Sequence, residues 1–218
     1  MQLEKTADGS FTLFVPELDE HYHSVKGALT ESEHIFINMG LKHSAAVQPR
    51  VLEIGFGTGL NAFLSLLAAE ETQRKVHFTT IERFPLDIET IRSMNYPDQV
   101  APERAKEYEA LHTAPWNVDA PITPFFTLHK LEADFTHYEF PKGYDVIYFD
   151  AFAPEKQPEM WSQELFNNLY NVLNTSGILT TYCAKGVIRR MLQAAGFTVE
   201  RLPGPPGGKR EILRATKA

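Results

Sequence analysis

Four carboxylates, Glu53, Glu82, Asp134 and Asp150, each stand at or just beyond the end of a short run rich in apolar residues. Glu53 opens the string Glu53-Ile54-Gly55-Phe56-Gly57-Thr58-Gly59. Its glycines let the backbone turn sharply and let a ligand approach the start of a following helix. The spacing is GxGxG rather than the GxGxxG of dinucleotide sites. A carboxylate two residues ahead of the first glycine would repel a pyrophosphate but suits an ammonium group, directly or through water. S-adenosylmethionine carries that ammonium, and we expect it as the cofactor, with Gly55, Gly57 and Gly59 cradling it. Glu82 can accept both ribose hydroxyls, and Asp134 can reach the adenine amino group.

Asp150 heads the second informative block, Asp150-Ala-Phe-Ala-Pro154, followed by Lys156, Pro158 and Trp161. An acidic side chain followed by aromatic and proline residues can hold an acceptor nitrogen against a methyl donor. A primary alkylamine resembles lysine, with a pKa of ~10.4, so only about one molecule in a thousand is a nucleophile at neutral pH. That missing deprotonation is worth about 4 kcal/mol. A carboxylate within reach can take the proton, orient the lone pair and stabilise the charge developing on nitrogen. Asp150 is the expected catalytic residue, with Phe152, Pro154, Lys156 and Trp161 around the acceptor.

Other reactive residues are weaker candidates. Cys183, the one cysteine, could be a nucleophile of the kind that activates a pyrimidine ring, but a small buried hydrophobe is the stronger reading. His21, His23 and His34 lack metal-ligand spacing and fit a polar surface or a hydrogen bond to a ligand, so no metal is expected. Gly204-Pro-Pro-Gly207-Gly208-Lys209 is one residue short of a P-loop, lacks its Ser or Thr and opens a strand, which excludes nucleotide hydrolysis by that motif.

The elements that must position these groups follow from the pattern. Residues 1–48 read as an appendage: a hairpin turning at Asp8-Gly9, then a capping box, Thr30 to Glu33, opening a helix through Ile35, Phe36 and Met39. From residue 49 strands and helices alternate. VLEIG, VHFTTIE, FFTLHKLEAD, YDVIYFD and GILTTYCA are strands, and helices follow Gly59, run through Ile88 and Ile91, span Trp161 to Leu173 and cover Val187 to Ala195. FTVERL and REILRA complete the set. Residues 95–125, with five prolines, read as an irregular insertion around a helix from Glu103 to Leu111. The expected fold is α/β, a mostly parallel seven-stranded sheet of Rossmann-like type with helices on both faces. Ligands in such sheets sit beyond the carboxyl ends of the strands, where the four carboxylates would converge.

The strings GALTESEHIFINMGL, VLEIGFGTGLN, YFDAFAPEKQPEMW, GILTTYCAKGVIRRML and AGFTVERLPGPPGGKREIL together resemble the methyltransferase domain of the bacterial MnmC family, from about Tyr22 to Leu213. The glycine string is common to class I methyltransferases; DAFAP with PGPPGGKRE is narrower. The resemblance implies S-adenosylmethionine-dependent methylation of the 5-aminomethyl group on the wobble uridine of tRNA, often 2-thiolated. It further implies that Glu53, Gly55, Gly57, Gly59, Glu82, Asp134 and Asp150 line the site, with Tyr22 and Asn38 closing over the cofactor. Because the sequence stops at Ala218, we expect the transferase without the family's oxidase, and an upstream enzyme supplying aminomethyluridine on the anticodon stem-loop.

The charge qualifies that partner. With 21 Lys plus Arg against 28 Asp plus Glu the net is −7, a poor balance for binding phosphates. Residues 183–218, however, carry eight cations, Lys185, Lys209 and Arg210 among them, against Glu200 and Glu211. A basic end on an acidic body suits one face meeting RNA. A single cysteine excludes a disulfide-stapled secreted domain and fits a reducing, cytoplasmic setting. The opening residues are not a signal peptide, and no apolar run approaches the ~18 residues of a membrane span. Two rivals remain: a polyamine aminopropyltransferase, which would want an acidic, enclosed pocket, and a non-catalytic module that binds cofactor or RNA.

Overall fold

A computed structural model describes residues 1–218. The chain begins with a small three-stranded antiparallel sheet, β1 (Gln2–Lys5), β2 (Phe11–Val15) and β3 (Glu20–His21). The first turn is the expected one at Asp8-Gly9, with Gly9 at φ +90. Next comes α1 (Ala28–Ser32), which continues as a nine-residue π-helix, Glu33–Leu41. The capping box does not form. Gly27 is the N-cap, and Thr30, already inside the helix, donates from its hydroxyl to Asp8 Oδ2 at 2.8 Å. Asp8 also accepts from the Thr30 and Ser10 amides and the Thr6 hydroxyl. That set of donors overrides the burial that would raise its pKa and holds it down to about 2. A long-range carboxylate has replaced the local cap.

The main sheet is built from β4 (Arg50–Ile54), β5 (Val76–Glu82), β6 (Asp119–Thr123), β7 (Phe126–Glu132), β8 (Tyr144–Phe149), β9 (Leu173–Thr181), β10 (Thr198–Pro203) and β11 (Glu211–Thr216). Their order is β10-β11-β9-β8-β4-β5-β7-β6. The five central strands, β9 to β7, run parallel; β11 and β6 run against them, and β10, antiparallel to β11, shares their direction. Eight strands therefore stand where seven are expected. The additional one, β6, lies in the proline-rich insertion. It is an edge strand with a register shift between Pro121 and Thr123, the setting in which a strand tolerates proline. β9 starts earlier than its sequence pattern indicates, because Asn174 to Gly177 bulges within the strand, with Ser176 at φ 62.

The helices are α2 (Leu60–Thr72), α3 (Ile88–Arg92), α4 (Tyr96–Val100), α5 (Ala105–Thr113), α6 (Gln163–Val172) and α7 (Gly186–Ala194). Alternating strand residues feed two cores, as a buried parallel sheet requires. Val51, Phe78 and Tyr148 pack with Phe36 of the π-helix and Phe63 and Leu66 of α2. Leu52, Ile54, Ile147 and Phe149 pack with Phe166 and Leu169 of α6 and Ile188 and Leu192 of α7. No helix is long and apolar enough to cross a membrane.

Candidate active site at the carboxyl ends of the strands

A cavity of about 1110 Å³ opens beyond the ends of β4, β5, β7 and β8. Its wall includes Tyr22, Gly55, Gly57, Glu82, Asp134, Asp150 and Phe152. The glycine turn between β4 and α2 has all three glycines in the left-handed region, φ 94, 49 and 70. At Gly59 a Cβ would lie 2.5 Å from His112 Nε2, so only glycine fits. The turn is clamped by residues distant in sequence: Thr58 O accepts from the Tyr108 hydroxyl (2.8 Å) and faces His112 Nε2 (3.1 Å), while its hydroxyl meets His23 Nε2 at 2.8 Å. His23 is buried, and burial lowers its pKa to about 4. It is a neutral strut of the turn, buried and bordering the cavity. Tyr108 and His112, from the insertion, carried no motif in the sequence.

The carboxylates fall into two environments. Glu82 Oε2 accepts from Gly57 N (3.1 Å) and Oε1 from Phe84 N (2.9 Å), which fixes the side chain across the turn. Asp134 accepts from the Thr136 amide and hydroxyl and from Arg83 Nη1 at 2.6 Å, and these bonds, the hydroxyl foremost, lower its pKa. Asp150, just past β8, receives Asn61 Nδ2 at 2.8 Å. Burial pushes its carboxyl up to about 7; the Asn61 amide and Lys209 pull down, and Glu31 adds to the rise. Glu53 is fully buried and absent from the cavity wall. Its Oε2 accepts from Thr80 Oγ1 at 2.7 Å, and burial raises its pKa well above the ordinary value.

Tyr22 closes over the turn, 5.1 Å from the Phe152 ring, and burial followed by Glu82 raises its hydroxyl to about 12. Asn38 is exposed on the π-helix and takes no part in the wall, because the π-helix turns its neighbours Ile37 and Gly40 inward. Trp161 is 4% exposed and donates from Nε1 to Phe152 O at 2.8 Å. It holds the DAFAP turn and presents no face to the cavity. Pro154 and Lys156 also stand outside the wall; Lys156 pairs with Asp19 at 3.1 Å. Cys183 is buried, with its thiol raised by burial, and is likewise outside the wall.

The basic end is largely spoken for. Lys185 pairs with Glu155, Arg201 with Glu211, Arg214 with Glu200, and Lys217 caps the carbonyls of Tyr170 and Leu173 at the far edge. Lys209 points inward: it lies in the cavity wall, bonds Glu31 Oε1 at 2.5 Å and stacks 4.4 Å above the Tyr182 ring. The loop between β10 and β11 delivers it there. Its turn requires Gly204, where a Cβ would fall 1.8 Å from Lys209 O. Arg210 is exposed and without a carboxylate partner.

Residues 125–218 match the profile of a family described as S-adenosyl-L-methionine-dependent methyltransferase. The structure superposes on MNMC2 from Aquifex aeolicus with a TM-score of 0.79 at 26% identity, covering 98% of this chain and 69% of that one. The chain has the fold of the S-adenosyl-L-methionine-dependent methyltransferases. Among curated relatives, the tRNA 5-methylaminomethyl-2-thiouridine biosynthesis bifunctional protein MnmC of Cupriavidus metallidurans is 32% identical over 94% of this chain. The chain spans about a third of that relative's length, 32%. Spermidine synthase from Thermotoga maritima shares the fold, with a TM-score of 0.59 at 17% identity. For a methyltransferase cofactor the residues fit. The glycine turn leaves room above α2, Glu82 is held at its edge, and the wall carries carboxylates suited to a cationic ligand.

Proposed function

We propose that this methyltransferase acts on the 5-aminomethyl group of the wobble uridine of tRNA, giving 5-methylaminomethyluridine or its 2-thio form. The observation that carries the reading is Asp150: a carboxylate facing the cavity beside Phe152, with a pKa raised to about 7. S-adenosylmethionine, when bound, supplies an electrophilic methyl group. Glu82 holds the cofactor's ribose hydroxyls, Asp134 its adenine edge, and Tyr22 covers the glycine turn. Asp150 accepts the proton of the incoming ammonium. An ordinary aspartate is a far weaker base than the amine, and the rise from 3.8 to about 7 narrows that gap by on the order of 4 kcal/mol. Phe152 gives the uridine ring an aromatic face, in the manner of aromatic contacts to unstacked bases. Arg210, with Lys185 able to leave an exposed pair worth little, meets phosphates outside the mouth. The amine itself must come from an enzyme that installs or unmasks an aminomethyl side chain.

The relatives named for 5-methylaminomethyl-2-thiouridine biosynthesis support this choice of acceptor. One observation favours a second reading: Glu17, Glu20, Glu31 and Glu159 also line the cavity, and such a wall would suit a free diamine. Purified protein with methyl-labelled S-adenosylmethionine should label bulk tRNA from cells lacking the activity and leave diamines unlabelled. Unlabelled tRNA, with aminopropyl transfer to a diamine when decarboxylated S-adenosylmethionine is supplied, would establish the second reading, and cofactor binding without transfer to either would mean a non-catalytic module.

A further inference from the structure

The cavity's acidic wall already holds an ammonium group. Lys209 bonds Glu31 Oε1 at 2.5 Å and lies 4.4 Å above the Tyr182 ring, and all three residues line the cavity with Asp150. Arg83, the other wall residue with a permanent positive charge, is bound to Asp134 instead. Glu31 is the one buried glutamate of the wall, at 7% exposure, and its Oε2 accepts from Ser24 N at 3.1 Å. Glu17 and Glu159 are exposed, and Glu20 is half-buried. We propose that Lys209 is a specificity-determining residue: its ammonium occupies the carboxylate that would hold the second ammonium of a diamine, so the cavity takes acceptors with a single cationic amine.

A diamine binds tightly only where two carboxylates meet its two ends. An exposed carboxylate offers an ammonium little, because water screens the pair; an enclosed one held by a backbone amide offers a charge-assisted bond. Asp150 is one such pole, and Glu31 is the other on the same wall. Glu31 raises the Asp150 carboxyl and Lys209 lowers it, so the pair presents little net charge to an amine held at Asp150. With Lys209 in place, a second ammonium would meet a cation where it needs an anion. The loop that carries Lys209 is fixed at several points. Gly204 N donates to Arg210 O and Gly208 N to Pro205 O, each at 3.0 Å, and Gly207 turns the chain at φ 71. His34 Nε2 meets Pro203 O at 2.8 Å, tying the loop to the π-helix that continues from the helix of Glu31. The proline-glycine run that fails as a P-loop thus carries one lysine into the wall. An aminomethyl group on an uncharged uracil ring is a single cationic amine and meets the requirement.

The identity of the acceptor rests on the reading above, whereas the exclusion of diamines is measured without tRNA, so the two can fail separately. Calorimetric titration of the purified protein with putrescine and with butylamine compares two amines that differ by one ammonium. The parent should bind putrescine no more than ~3-fold tighter than butylamine, the scale of an exposed pair. Lys209→Met frees Glu31 and should raise that preference ~10- to 100-fold, the scale of a hydrogen bond between charged groups. Lys209→Arg keeps a cation on Glu31 and should behave as the parent, and adding Glu31→Gln to Lys209→Met should abolish the gain. A parent that prefers putrescine by ~10-fold or more would overturn the assignment with no variant needed, and so would a cooperatively melting Lys209→Met that shows no gain. A parent that shows no such preference yet leaves aminomethyl-bearing tRNA unmethylated would remove the proposed acceptor and keep the assignment of Lys209.

Discussion

Two pairs of carboxylates stand at neighbouring strand ends, and burial drives them apart. The outer pair, Glu82 and Asp134, is wrapped in backbone amides, hydroxyls and the Arg83 guanidinium. The inner pair, Glu53 and Asp150, faces one amide and one hydroxyl, and both members are raised. Donor-rich surroundings fix a carboxylate for binding and, at Asp134, favour the anion; donor-poor surroundings favour the acid, which can hold or exchange a proton. The same division separates two neighbouring cations. Lys209 is turned inward onto Glu31, and Arg210 is left outside.

The sharpest way to break the comparison is Asp150→Asn. Turnover should fall by ~10² or more, the scale of lost acid-base and electrostatic help. The parent's kcat/KM should rise with pH through about 7 as Asp150 ionises. Its raised carboxyl binds a proton more tightly folded than unfolded, so its contribution to stability is present below the ordinary value of 3.8 and is lost as pH rises through about 7. The asparagine variant should accordingly melt higher at pH 8, by about 2–4 °C for each kcal/mol relieved. Turnover within a few-fold of the parent would remove Asp150 from the acceptor side.

Glu82→Gln probes the outer pair. It should weaken S-adenosylmethionine binding by ~10- to 100-fold, the cost of losing a charged acceptor, while leaving the pH limb of kcat in place; a displaced limb would show that the pairs are not separate. The smallest effects are expected at the two cations. Arg210→Ala should weaken tRNA binding a few-fold and lower the salt slope by about one counterion, sparing the cofactor. Lys209→Met should move the kcat/KM limb to higher pH, since Lys209 holds the Asp150 pKa down, with little change in the salt slope.

Much of this site was legible in the sequence because strand ends and glycine turns are local. VLEIGFGTG, VHFTTIE and YFDAFAP each place one carboxylate without reference to the rest of the chain, and the parallel sheet brings them together. What escaped was set by distant partners. β6 was hidden by its proline, and the capping box lost Thr30 to Asp8, 22 residues away. Asn38 turns outward on a π-helix whose register no 3.6-residue pattern anticipates. The clamp on Thr58 draws on His23, Tyr108 and His112, up to 54 residues distant. The +6 of the C-terminal stretch was arithmetic on a line, and folding pairs only Lys185 and Lys209 of it with carboxylates from elsewhere in the chain. Burial, which decides the protonation of Glu53 against that of Asp134, has no sequence signature of its own.

The most direct test is nucleoside analysis of tRNA after incubation with the purified protein and S-adenosylmethionine. Conversion of 5-aminomethyluridine, or its 2-thio form, to the 5-methylaminomethyl nucleoside, abolished by Asp150→Asn, is the predicted result. A methyl group on a ring carbon or ribose, or no methylated nucleoside from tRNA shown to carry the aminomethyl group, would contradict it.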